Sequence, residues 1–122
     1  MVSDQILYEN QWTIRVLIKD GECEVIQFIE GLDQDDRKKA DRLIKFHGDN
    51  GPHPSKQKFR IIENGFFEYK PTKQVRILGF FNGQREMLLT HGCVKKKDKL
   101  NPEEMEKLRK LFEEYKERGT KV

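Results

Sequence analysis

Between Gly65 and Gly92 three strand-like runs follow one another with only tight turns between them, which leaves this stretch an antiparallel meander and little else. The first run, Gly65 to Lys70, is stopped by Pro71, whose missing N–H cannot serve a ladder. The second, Gln74 to Phe81, and the third, Gln84 to about Gly92, flank Asn82-Gly83, the residue pair that best tolerates the positive φ angles of a two-residue type I′ turn. Such a turn pairs Phe81 with Gln84, Phe80 with Arg85, Leu78 with Met87 and Arg76 with Leu89. One face then carries Arg76, Leu78, Phe80, Arg85, Met87, Leu89 and His91, and the other Val75, Ile77, Gly79, Phe81, Leu88 and Thr90. Two arginines and a histidine are costly to bury unpaired, so the first face is expected to border a solvent-accessible groove and the second to face the core.

The remaining segments supply what packs on that sheet. Trp12 to Ile18 alternates and is rich in β-branched residues, as a half-buried strand requires, and Asp20-Gly21 ends it. From Glu22, Val25, Ile26, Phe28, Ile29 and Leu32 recur at helical spacing up to the Gly31 stop; Asp33 then caps a second helix, with Ala40, Leu43 and Ile44 inward and His47-Gly48 at its end. Residues 48–55, with two glycines and two prolines, read as a loop. Pro102 suits a first helical turn, and Met105, Leu108, Leu111, Phe112 and Tyr115 form the apolar stripe of a last helix ending near Gly119. The reading is one α+β domain over 1–122, helices against an antiparallel sheet, with residues 1–11 given no element and allowed to be flexible. Without a long apolar run or an export-type opening, a cytoplasmic protein with no membrane attachment is expected.

Charge is unevenly distributed. Residues 1–53 hold 7 Lys/Arg against 11 Asp/Glu, residues 54–100 hold 11 against 4, and residues 101–122 hold 6 of each. The basic middle of the chain points to an anionic partner. Arg76, its stem among apolar strand residues, offers fixed donors that either hold a phosphate or pair with Glu68 or Glu86. His91 is either a general acid or base or the maker of one structural hydrogen bond. Lys95, Lys96, Lys97 and Lys99 follow the third strand and form either a phosphate-binding cluster or a solvated loop; their convergence with Arg76 and His91 favours the former. A metal site at His91-Gly92-Cys93 lacks further ligands, and neither Cys23 nor Cys93 stands in a constellation that would make it a nucleophile, so no metal and no cofactor is expected.

Three stretches together, Glu63-Asn64-Gly65-Phe66-Phe67-Glu68-Tyr69-Lys70, Arg76-Ile77-Leu78-Gly79-Phe80-Phe81 and His91-Gly92-Cys93-Val94-Lys95-Lys96, followed by Lys99 and Pro102, resemble the RelE/HigB superfamily of toxins, especially its phage-related branch, over roughly Trp12 to Gly119. The resemblance implies a RelE-like fold and the toxin of a type II toxin–antitoxin pair: a metal-independent, ribosome-dependent endoribonuclease acting on messenger RNA, neutralised by an antitoxin that usually bears a helix-turn-helix domain. In that chemistry the substrate's own 2′-hydroxyl attacks the neighbouring phosphate. Arg76 then matches the arginine that holds the scissile phosphate, Lys95 and Lys96 the basic pair after the last strand, and Lys70 the basic end of the earlier strand. His91 falls where histidine is frequent, and Glu68 is either a base or the partner of Arg76. Lys73, Arg85, Lys97 and Lys99 complete the basic residues expected along an RNA backbone, Arg85 sitting solvated beside the turn. The chain departs from the pattern at Gly79 and Cys93, where aromatics are common, and at Lys97-Asp98. Two rival functions share the fold: a gyrase-inhibiting toxin of the ParE kind, and a non-catalytic RNA- or protein-binding module.

Overall fold

The computed structural model describes residues 1–96 and 100–118. Nine elements follow in chain order: β1 (Val2–Glu9), β2 (Thr13–Lys19), α1 (Glu24–Glu30), α2 (Gln34–Asn50), β3 (Phe59–Glu63), β4 (Phe66–Tyr69), β5 (Val75–Phe81), β6 (Glu86–Val94) and α3 (Pro102–Glu117). The six strands form one sheet in the order β1-β2-β6-β5-β4-β3. All neighbours are antiparallel except β2 and β6, which run parallel. The sheet is therefore mixed, not antiparallel throughout. A strand that reaches its neighbour only after two helices and three other strands is not bound to the reversal that a hairpin imposes.

Both faces of the sheet are covered. Ile14, Val16, Phe67, Tyr69, Ile77, Met87 and Leu89 pack with Val25, Ile29, Ala40, Leu43 and Ile44 of α1 and α2. Leu17, Phe66, Leu78, Phe80 and Leu88 pack with Met105, Leu108, Leu111 and Tyr115 of α3 on the opposite face. The expectation of one core face and one open face thus fails: β5 is buried from Val75 through Phe80. A helix on each side turns the alternation of the strand into two cores.

The β5–β6 register also departs from the two-residue turn. Phe81 pairs with Met87, and a backbone hydrogen bond from Asn82 to Glu86 at 2.9 Å closes the wider loop, where Gly83 and Arg85 take positive φ. An odd shift of three residues moves Met87 and Leu89 onto the face of Ile77 and Phe81, and Leu88 onto that of Leu78 and Phe80. A bulge then restores the parity: beyond it Leu78 pairs with His91 and Arg76 with Cys93, so Arg76 and His91 share a face after all. Thr90, the extra residue, donates its hydroxyl to the Leu78 carbonyl at 3.2 Å. Gly79 sits at the crossing of β4, β5 and β6, where an added Cβ would lie 2.3 Å from the Leu88 carbonyl oxygen and 2.9 Å from Phe67.

Residues 1–11 contain β1, paired with β2. The second helix runs past Gly48 to Asn50 and stops at Gly51, whose φ is 83°. Gly48 lies inside the helix because the Tyr8 ring occupies the space of a side chain there, 2.3 Å from a built Cβ.

Candidate anion-binding site at one end of the sheet

Glu68 organises the basic end of the sheet. It lies on β4, fully buried, with its face set by pairing to Leu78 on one side and Arg60 on the other. Arg60 Nε donates to one carboxylate oxygen at 3.1 Å and its terminal nitrogen lies 3.0 Å from the same oxygen. Lys70 stands 4.0 Å from that oxygen, and Arg76 Nε approaches the other at 3.6 Å without completing a hydrogen bond. Three cations thus meet one carboxylate, and they are graded outward: the side chain of Arg76 is 8% exposed, that of Lys70 18% and that of Arg60 44%.

Arg76 is held by backbone. Its Nη1 donates to the Thr72 and Val75 carbonyls at 2.8 and 3.1 Å, and the 71–74 turn is fixed by the Thr72 hydroxyl accepting from the N–H groups of Gln74 and Val75. Of the two carboxylates considered for Arg76, Glu68 is the neighbour. Glu86 is engaged by Arg15 at the far end of β6, together with Asp4. Lys95 is joined to the same end through a 2.6 Å bond from its N–H to the Gln74 carbonyl. Burial lowers the pKa of Lys70 from the ordinary ammonium value, opposed by Glu68 and reinforced by the charges of Arg60, Arg76 and Lys95. Gln57, Lys58, Lys70, Thr72, Lys73 and Arg76 line an open depression of ≈330 Å³ beside them. Among the described residues three cations meet this one carboxylate, an excess of positive charge that suits an anion.

His91 is differently placed. It shares the face of Arg76 but lies wholly buried beneath the start of α3, its Nδ1 2.8 Å from the Thr90 hydroxyl and its Nε2 3.4 Å from Glu104. Burial and the nearby Lys107 lower its pKa, Glu104 and Glu24 opposing, so the neutral ring is favoured. The ring is sealed from solvent at the end of β6 and is not part of the lining of the depression. Cys93, next to Glu104 and Glu68, has its thiol pushed up to about 12 by burial and by those carboxylates, which keeps it protonated and poorly nucleophilic.

Of the residues expected to act together, Glu68, Lys70, Lys73, Arg76 and Lys95 converge here. Lys96 follows Lys95, exposed. Arg85 does not join them: it sits in the loop at the opposite end of β6, separated by about 30 Å of extended strand. Lys97 and Lys99 lie outside the described residues. Sequence reasoning missed Arg60 and Lys58. The signal for Arg60 was Asn64-Gly65, a second turn pair, from which a hairpin folds Phe59–Glu63 back onto Phe66–Tyr69; a bulge near Ile62 then slides Arg60 opposite Glu68.

The family described as "Phage derived protein Gp49-like (DUF891)" matches residues 27–113, from α1 into α3. The chain belongs to this phage-derived Gp49-like family. The matched span contains every residue of the cationic cluster of this Gp49-like protein, from Arg60 to Lys95. No match was found among curated proteins. In this Gp49-like protein no described helix is long and apolar enough to cross a membrane.

Proposed function

We propose that this Gp49-like protein is a growth-inhibiting toxin with a RelE-like fold, one half of a type II toxin–antitoxin pair, and that it cleaves messenger RNA on the ribosome. The observation that carries the reading is the set of cations, Arg60, Lys70 and Arg76, that meet the buried carboxylate of Glu68 beside an open depression, with Lys95 tied to the same end of the sheet. Such a site suits the transfer in which an RNA 2′-oxygen attacks the adjacent phosphorus: the O2′–P bond forms, the P–O5′ bond breaks, the 2′ proton leaves and the departing 5′ oxygen takes one up. The reaction consumes no protein nucleophile and no metal; it needs charge stabilisation and proton transfer. Arg76 is assigned to the scissile phosphate, Lys95 and Lys96 to the charge developing around it, and Lys70, at the edge of the depression beside Glu68, to the RNA backbone. Glu68 holds these cations in place, and His91 sets the end of β6 from beneath α3. The partner is an antitoxin with a helix-turn-helix domain, and the site of action is the cytoplasm.

Expression of the chain alone is expected to arrest bacterial growth, relieved by co-expression of the neighbouring gene. In a translating extract, cleavage should persist when chelator is added to the limit at which ribosomes keep their own magnesium, and should stop when the nucleotide before the cut carries no 2′-hydroxyl. Normal growth with soluble, intact protein refutes the toxin reading. Arrest with gyrase inhibition and uncut RNA replaces it with the ParE-like one.

A further inference from the structure

A second depression adjoins the first on the other side of Lys58. It measures ≈350 Å³ and is lined by Lys39, Arg42, Leu43 and Phe46 of α2 together with His53, Lys58 and Pro71. Lys58 lines both hollows, and Pro71 and Thr72, neighbours in sequence, face one each. The two therefore form one continuous path around the end of the sheet, from the Arg76 pocket to the outer side of α2. The path changes character along its length. At the Arg76 end it is cationic and without aromatic rings; at the α2 end the half-buried rings of Phe46 and His53 lie 4.4 Å apart, tilted by 35°, between the exposed side chains of Lys39, Arg42 and Lys58.

That pair is built rather than incidental. His53 Nδ1 accepts the Ser55 N–H at 3.0 Å, which fixes the ring within the 51–55 turn. Behind it, His47 stacks on Tyr69 at 4.0 Å and closes the core side. Of the cations around the rings, Lys39 shares its charge with Asp35 at 3.2 Å. Rings that offer a π-face beside ammonium and guanidinium groups match a nucleobase with its phosphate, since stacking and backbone neutralisation are the two contributions that bind single strands without reading sequence.

We propose that Phe46 and His53 form a base-stacking subsite, flanked by Arg42 and Lys58, for a nucleotide of a single-stranded RNA whose neighbouring phosphate occupies the Arg76 pocket. The subsite extends the proposed RNA-binding role of that pocket and names where the strand continues. A strand so placed crosses Lys58, which lines both hollows.

The test uses the full-length protein with a fluorescein-labelled nonamer of mixed-sequence RNA, read by anisotropy at low salt, beside a ribose-phosphate nonamer lacking its bases. Phe46→Leu keeps an apolar side chain against the core, and His53→Asn keeps an acceptor near the Ser55 N–H. Each is expected to weaken binding of the base-bearing strand by roughly fivefold to a hundredfold and to leave binding of the abasic strand unchanged. Arg42→Ala, on an exposed helix face, should weaken both strands and flatten the dependence of log Kd on log salt by about 0.7. Should either ring variant fold poorly, photo-crosslinking of wild-type protein to a 4-thiouridine nonamer should mark the peptide holding residues 46–53. Unchanged affinity in folded ring variants, equal binding of the two strands by wild type, crosslinks confined to the Arg76 pocket, or no saturable binding at low salt each overturn the subsite. Ribosomal cleavage, measured separately, distinguishes this from failure of the nuclease reading: lost cleavage with intact stacking refutes only the latter, and intact cleavage without stacking only the former.

Discussion

Replacing Arg76 with alanine separates its two possible employments, because the structure places it against both Glu68 and the open depression. Removing one partner of a buried ion pair costs about 3–5 kcal/mol when nothing else compensates the charge left behind. Here Arg60 still bonds Glu68 at 3.0 Å and Lys70 still stands 4.0 Å away, while Arg76 itself donates to the carbonyls of Thr72 and Val75. The loss should accordingly be about 2 kcal/mol, a fall in melting temperature on the order of 6–10 °C for a domain of this size. Activity should fall further than stability. Fixed donors aimed at developing phosphate charge contribute about 2.7–4 kcal/mol, roughly a hundred- to a thousandfold in rate. The Glu68→Gln, Arg76→Ala double variant then discriminates: relieved of its buried charge it should regain most of the melting temperature and none of the cleavage. Arg85→Ala, at the other end of β6, serves as the control of equal charge loss and should match the parent. Thermal melts beside a ribosome-programmed cleavage assay read both quantities. An active Arg76→Ala protein, or a double variant that recovers cleavage with stability, refutes the phosphate role.

Two further outcomes test the fold around the site. Burial holds His47 at about 4 against an ordinary 6.5, so the fold prefers the neutral ring; its contribution is whole above pH 6.5 and is lost as pH falls from 6.5 toward 4, in all about 3 kcal/mol. Urea melts across that window should show the decline, and His47→Phe, which keeps a ring against Tyr69, should flatten it. Gly79→Ala should cost about 2–3 kcal/mol by overpacking, since the added methyl meets the Leu88 carbonyl, a backbone atom that cannot swing aside. A Gly79→Ala protein melting with the parent would show that β5 and β6 are less closely apposed.

Periodicity made most of the elements legible. The stripes of α1, α2 and α3 and the runs of β2, β4, β5 and β6 each had one reading, because each buries a face. β1 escaped because it is an edge strand whose pattern carries little apolar signal: of Val2–Glu9 only Val2 is buried. β3 escaped for the same reason, with Phe59 alone buried. The face assignment of β6 failed on features that pattern does not encode, a wider turn and a bulge, whose errors cancelled at His91 and persisted at Met87 and Leu89. At the candidate site, Arg76, Lys70 and Glu68 could be singled out by residue type. That Arg76 and Lys70 share the Glu68 carboxylate with Arg60 could not, because Arg60 is brought to it by the β3–β4 register. Gly79, a departure from the resembled pattern, is explained by the packing of three strands at its backbone.

The parallel pairing of β2 with β6 has a consequence in time. Thr13 meets Glu86 and Val16 meets Leu89, partners from opposite ends of the chain, whereas β3 to β6 form by successive hairpins among near neighbours. Closing so long a loop carries an entropic cost before any contact repays it, so the hairpins should organise first and the sheet join late. During synthesis the cations of β3 to β6 would therefore gather while α3 is still within the ribosome, and the cover over Leu78, Phe80 and His91 would arrive only once α3 has emerged. Folding of the basic end and its final enclosure are separate events, ordered by the direction of translation.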